Sequence, residues 1–203
     1  MKKSLIILLL ITGLPSLYAA QQNQAGFYGL LAFGRGYNNF SGDDFTASPT
    51  YANERWTWAG RLAAGYNIDK YIGLEVGGRY FKQRKFGGIA NTNYNGFADL
   101  QAYSAQTVIR WPFGDGYNVF VKFGPAYVMA DLSSNASATA AAANGIKTHT
   151  IRQWEPMYSV GASMTLDDFP GVSAMFEYSA TKEDKDNNLP KAELYAFGLI
   201  FHF

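Results

Sequence analysis

The 203-residue chain contains no cysteine. That excludes a disulfide scaffold, a thiolate zinc site and a cysteine nucleophile. Charge is scarce too: 16% of residues are Asp, Glu, Lys or Arg, against roughly 25% in a soluble domain. A formal net charge of +1 gives no electrostatic footprint for nucleic acid. Beyond the first 20 residues there is no long run of strongly apolar residues, and so no helical membrane span. The excesses lie elsewhere. Aromatics make up 16% of the chain, with 15 Phe, 14 Tyr and 4 Trp, and there are 21 Gly. So many rings with so little charge argue against disorder. Yet mean hydropathy is only −0.14, an unusual average for a chain that is 48% hydrophobic.

The amino terminus reads as an address. Met1-Lys2-Lys3 is a positive start, 4–14 is apolar, Pro15 and Ser16 break the run, and Leu17-Tyr18-Ala19-Ala20 brings small residues to a cleavage site. Residues 1–20 are expected to be a cleaved secretory signal peptide, leaving 21–203 as one exported domain. Cleavage removes two of the 17 basic residues and no acid, so the mature charge is −1.

The exported part alternates in period two almost throughout. Eight strands are expected, at 26–36, 55–67, 71–82, 98–111, 118–130, 154–166, 172–180 and 193–203. Their connections alternate in kind. Residues 68–70, 112–117 and 167–171 are short and rich in Asp, Gly and Pro, as turns are. Residues 37–54, 83–97, 131–153 and 181–192 form long connections. In an up-and-down barrel this puts every turn at one end and every long loop at the other, the layout of a transmembrane β-barrel.

Alternation also separates two faces. Ile72, Leu74, Val76, Gly78 and Tyr80 oppose Gly73, Glu75, Gly77, Arg79 and Phe81. Val119, Val121, Phe123, Pro125, Tyr127 and Met129 oppose Phe120, Lys122, Gly124 and Ala126. Trp56, Trp58, Leu62 and Tyr66 oppose Thr57, Arg61 and Gly65, and Phe176 and Tyr178 oppose Met175, Glu177 and Ser179. A soluble lipocalin-like barrel would bury the apolar face, whereas a membrane barrel turns it outward. Three features select the membrane barrel. Trp58, Tyr66, Tyr80, Trp111 and Tyr195 end the apolar face as interfacial girdles do, loop length is polarised, and the chain closes on Phe203. The fold expected is therefore all-β, an eight-stranded antiparallel up-and-down barrel. Gly and Ala on the inward face make room for long charged neighbours in a lumen just wide enough for side chains.

Tyr195, Phe197, Leu199, Phe201 and Phe203 resemble the carboxy-terminal signal read by the outer-membrane barrel assembly machinery. Residues 64–77, with Ala64-Gly-Tyr-Asn-Ile-Asp-Lys-Tyr-Ile-Gly-Leu-Glu-Val-Gly77, and residues 111–124, with Trp111-Pro-Phe-Gly-Asp-Gly-Tyr-Asn-Val-Phe-Val-Lys-Phe-Gly124, resemble strands and turns of the OmpA-like transmembrane barrels. OmpX-like and opacity-type barrels share them. The resemblance implies outer-membrane localisation and surface loops acting in adhesion or in binding host factors. It also implies contact between Glu75 and Lys122 inside the barrel. Where the family places an interior Arg in the seventh strand, this chain has Met175. A peptidoglycan-binding domain is not expected.

Inward charges fall at Arg61, Glu75, Arg79, Arg110, Lys122, Glu155 and Glu177. Such charges need partners, and a network filling the lumen is expected. The rival reading is a narrow path for ions or small solutes. A third is a lipid-modifying enzyme, but the two histidines, His149 and His202, lack an evident nucleophile and orienting acid. The paired carboxylates Asp43-Asp44, Asp167-Asp168 and Asp184/Asp186 fall in loops or turns without metal-loop spacing. No catalytic residue, metal or cofactor is expected, and the protein is expected to be a monomer. Lys82, Arg84 and Lys85 cap the third strand where it leaves the outer leaflet, and suit the phosphates of lipopolysaccharide.

Overall fold

The computed structural model describes residues 25–38, 51–52, 56–87, 94–143, 146, 148–182 and 191–203. The leader at 1–20 and much of the first, second and fourth long connections, including Asp43, Asp44, Asp184 and Asp186, lie outside them. Among the described residues the strands are β1 (Gly26–Asn38), β2 (Tyr51–Ala52), β3 (Trp56–Asn67), β4 (Ile72–Gly87), β5 (Gly96–Phe113), β6 (Tyr117–Ser134), β7 (His149–Thr165), β8 (Val172–Thr181) and β9 (Ala192–His202), and a short helix, α1, spans Ala138–Ala143. Each long strand pairs antiparallel with its chain neighbours, and β1 pairs with β9 to close an eight-stranded barrel. The two-residue β2 pairs with the outer end of β4.

Local chemistry sets the turn end. After β3 the Asp69 carboxylate accepts the amides of Tyr71 and Ile72, both at 2.7 Å, an Asx turn that reverses the chain. Between β5 and β6 the turn is Gly114-Asp115-Gly116, and both glycines have positive φ, 60° and 84°, which a Cβ would disfavour.

The two faces fall as the alternation indicates. Phe27, Leu31, Phe33, Leu62, Leu74, Val76, Phe123 and Phe197 stand on the exterior, between 52% and 71% exposed. Arg61, Glu75, Arg79, Lys122 and Glu177 are buried. An apolar exterior of this extent is the inverse of a water-soluble fold and suits a hydrocarbon surround. Aromatic rings border it at both ends. Phe27 packs on Tyr66 and Phe113 on Tyr117 at the turn end. Tyr178, Tyr195, Trp56 and Tyr37 form a continuous chain of ring contacts at the loop end. From Tyr66 to Trp56 is ten residues of strand. At about 3.3 Å each and a tilt of about 40°, that spans roughly 25 Å, the height of an outer-membrane apolar band. Among the described residues no helix is long and apolar enough to cross a membrane.

Inward glycines answer to crowding. A Cβ on Gly198 would stand 2.5 Å from both the Leu31 carbonyl oxygen and the Ala32 Cβ.

The strands run further than expected on the loop side. β5 and β6 have 18 residues each and β7 has 17, whereas β8 has 10. His149, expected in a loop, begins β7 opposite Leu132. Alternation in 131–134 and 149–153 is masked by Ser, Thr and Asp, and backbone pairing continues there because each neighbour offers a partner. The excess of about eight residues is roughly 26 Å of strand. It builds a projection from β4 to β7 beyond the apolar band.

Candidate functional site

Two features of the barrel bear on function: its filled lumen and its outer projection. At mid-barrel, inward positions of β3, β4, β6 and β8 bring five charges together. Glu75 accepts Lys122 at 2.8 Å and also pairs with Arg61. Glu177 accepts Lys122 at 2.9 Å, Arg79 at 3.4 Å and Arg61. Every one of these side chains is at least 97% buried. Two carboxylates thus hold three cations, leaving a cluster charge of +1. Arg79 completes its donors on neutral oxygens: Ser179 at 3.2 Å, Ser104 at 3.0 Å, Gln106 at 3.3 Å and Ser159 at 3.5 Å. Tyr28 donates to Glu75 at 3.0 Å. An unpaired charge here would be costly, and this mutual pairing with added hydrogen bonds is how a buried cluster persists.

The Glu75–Lys122 contact stands as the resemblance implied. Met175 is buried beside the cluster at 4% exposure, so the cation for Glu177 comes instead from Arg61, Arg79 and Lys122. The other two expected lumen charges stand apart. Arg110 lies near the turn end, its guanidinium 5.4 Å above the Tyr28 ring. Glu155 lies toward the loop end and accepts Gln153 at 2.8 Å. Tyr28 and the serines 104, 159 and 179 were missed as network members. The inward Ser spacing on β7 and β8 carried that signal.

Arg84 requires a correction. The pairing of β4 with β5 shifts register between Phe81 and Arg84. A bulge inserts one residue and flips the alternation beyond it. Lys82 and Gln83 both face outward, while Arg84 turns inward at 3% exposure and bonds Asn38. Lys82 and Lys85 remain outside, so the expected surface triad of Lys82, Arg84 and Lys85 is a pair.

Above the charge cluster the lumen turns mainly apolar around the buried Arg84–Asn38 pair. Phe81, Phe86, Leu100, Val128, Leu132 and Leu194 are buried there, and Ile146 from the third connection is inserted among them at 7% exposure. Its amide donates to the Ala141 carbonyl at 2.9 Å, fastening α1 over the barrel mouth. The Ala-rich run around 136–143 is thus a cap on the inner face of the projection.

At the turn end His202 lies 3.2 Å from Ser173 Oγ. Among the described residues no carboxylate bonds the ring to orient it, and no group of three or more His, Asp or Glu gathers as a metal site. His149 is exposed on the projection.

The family model of the outer membrane protein β-barrel domain matches residues 6–203. The chain belongs to this family. Solved structures agree in fold. The attachment invasion locus protein Ail of Yersinia pestis, in complex with the heparin analogue sucrose octasulfate, superposes with a TM-score of 0.58 at 12% identity, covering 89% of this chain and 99% of Ail. Neisserial surface protein A gives 0.59 at 13% identity, covering 88% and 97%. OprG of Pseudomonas aeruginosa gives 0.55 at 12%, covering 91% and 100%. Comparison with curated proteins gave no match. The family barrel accounts for an apolar exterior around buried charge, and it points to the outer membrane.

Proposed function

We propose that this family barrel is a closed integral protein of the outer membrane whose working surface is the projection built by β4 to β7. The strand excess of β5, β6 and β7 over β8 carries this reading. A barrel needing only to span the bilayer has no use for roughly 26 Å of additional paired strand. The ion cluster and the apolar layer above it support a lumen shut to solutes, so function moves to the outside. Loops and strand ends on a rigid scaffold are where binding groups concentrate. The outer face of the projection carries both signs: Asp131 opposite half-buried Asp99, and exposed Arg152. That mixture suits contact with a protein surface better than with a polyanion. The Ail structure contains a heparin analogue, and the reading here is of surface contact in the same broad sense, without that ligand.

Cells displaying the protein are compared with cells displaying a variant in which residues 129–152, the outer ends of β6 and β7 and the connection between them, are replaced by a tight Asn-Gly turn closing the Val128–Gln153 pair. Binding to host-cell or matrix protein is measured at matched surface levels. Loss of binding in the shortened variant supports the proposal. Equal binding by the two, or no binding by either above cells lacking the protein, refutes it.

A further inference from the structure

We infer that the outer half of the β1–β3–β4 wall is a binding site for lipid A, the phosphorylated and multiply acylated anchor of lipopolysaccharide. Two adjoining features of the exterior carry this.

The first is cationic. Arg35, Trp58 and Lys82 follow one another across β1, β3 and β4, since Arg35 pairs with Trp58 and the β3–β4 register places Trp58 beside Lys82. Lys85 lies three residues further out on β4. All three cations are exposed, and none has a carboxylate partner among the described residues. Asp99, on the neighbouring strand β5, is taken by the Gln83 amide at 2.7 Å. The Arg35 guanidinium lies 5.1 Å from the centroid of the Trp58 ring, which holds it at the level of the aromatic belt. The bulge exposes Lys82 and Gln83 side by side, and Thr57 Oγ1 donates to the Lys82 carbonyl at 2.9 Å. Together these line a hollow of about 380 Å³. Cations at the interface in an apolar wall meet lipid phosphates at that depth, where charge-assisted hydrogen bonds are short and strong.

The second feature is an apolar groove directly beneath, of about 620 Å³, with its floor at Gly60 and Gly78 and its sides made by Leu31, Phe33, Leu62 and Tyr103. Gly60 is two residues, or about 7 Å of strand, below Trp58. These two glycines differ from the inward ones. A Cβ on Gly60 would come no closer than 3.8 Å to Phe33, and one on Gly78 no closer than 3.4 Å to Tyr103. Barrel packing does not demand glycine at either place. What the two glycines create is a channel in the outer wall that an acyl chain fills. A headgroup site for phosphate sitting over a slot for hydrocarbon matches a phosphorylated, acylated lipid. Three cations spread over β1 and β4, with Trp58 of β3 between them, favour a headgroup with two phosphates over a phosphodiester with one.

The test uses the full barrel extracted in mild detergent and offered equal mole fractions of bisphosphorylated lipid A, monophosphoryl lipid A or phosphatidylglycerol. Retained lipid is counted by native mass spectrometry. The wild type is expected to prefer bisphosphorylated lipid A, and the preference is expected to weaken as salt rises. Removing cations by Arg35→Gln, Lys82→Gln and Lys85→Gln is expected to lower retention about fivefold for each and to erase the preference. Gly60→Leu with Gly78→Leu is expected to lower retention while keeping the order of preference. Heat-modifiable gel mobility checks that each variant is folded. Retention of lipid A unchanged in the folded triple variant overturns the proposal. So does equal retention of phosphatidylglycerol by the wild type, which would mark an undiscriminating anionic annulus.

Discussion

Changing Glu177 to Gln removes one of the two carboxylates that hold the central cations while keeping side-chain volume. No cavity forms, so the consequence is electrostatic. Arg61 and Lys122 keep Glu75. Arg79 loses its carboxylate partner and retains Ser104, Ser159, Ser179 and Gln106. The cluster charge rises from +1 to +2 inside a wall surrounded by hydrocarbon. Breaking a buried pair by removing one partner costs about 3–5 kcal/mol, and the expected loss is in that range. Replacing Arg79 by Met in the same chain returns the charge to +1. The double variant is then expected to be more stable than the sum of the single changes by at least about 1 kcal/mol. Urea unfolding of the barrel in lipid vesicles, followed by tryptophan fluorescence, measures all four species. A Glu177→Gln loss below about 1 kcal/mol, with strictly additive behaviour in the double variant, would refute the pairing scheme.

Gly34→Val is expected to prevent closure, because its Cβ would stand 1.8 Å from the Tyr195 carbonyl oxygen on β9 and backbone there cannot yield cheaply. Gly60→Val, facing outward, is expected to fold normally, and the folded fraction on a heat-modifiability gel separates the two. Ile146→Asp places an unpaired carboxylate in the apolar layer of the mouth, at a cost of several kcal/mol. It is expected to release the third connection, read as faster proteolytic nicking near residue 146 with the barrel core intact. Deleting Phe203 removes the amide that donates to the Phe27 carbonyl at 2.9 Å and the last ring of the terminal pattern. Lower yield in the outer membrane with unchanged refolding in detergent is the expected result.

Much of this architecture was readable because side-chain direction in a strand has a strict period of two. Glu75, Lys122 and Glu177 share a face by counting alone, and Tyr195 to Phe203 share the other. Counting failed where the period was interrupted. The bulge after Phe81 turned Arg84 inward, and no signature in Lys82-Gln83-Arg84-Lys85 marks the inserted residue. Arg35 was overlooked because Gly29, Gly34 and Gly36 blur the faces of β1. Polar residues at 131–134 and 149–153 resemble a loop, yet pairing across β6 and β7 holds them as strand, since backbone hydrogen bonds do not depend on side-chain hydropathy. The partners that satisfy Arg79 are serines from three strands, and such convergence appears only when the barrel closes.

The central claim is a closed lumen, and single-channel recording in planar bilayers tests it most directly. Folded wild-type protein is expected to give no stepwise conductance, and Glu75→Ala, which strips Arg61 and Lys122 of one shared carboxylate, is expected to give brief openings. Stable, voltage-independent conductance from the wild type would contradict the account.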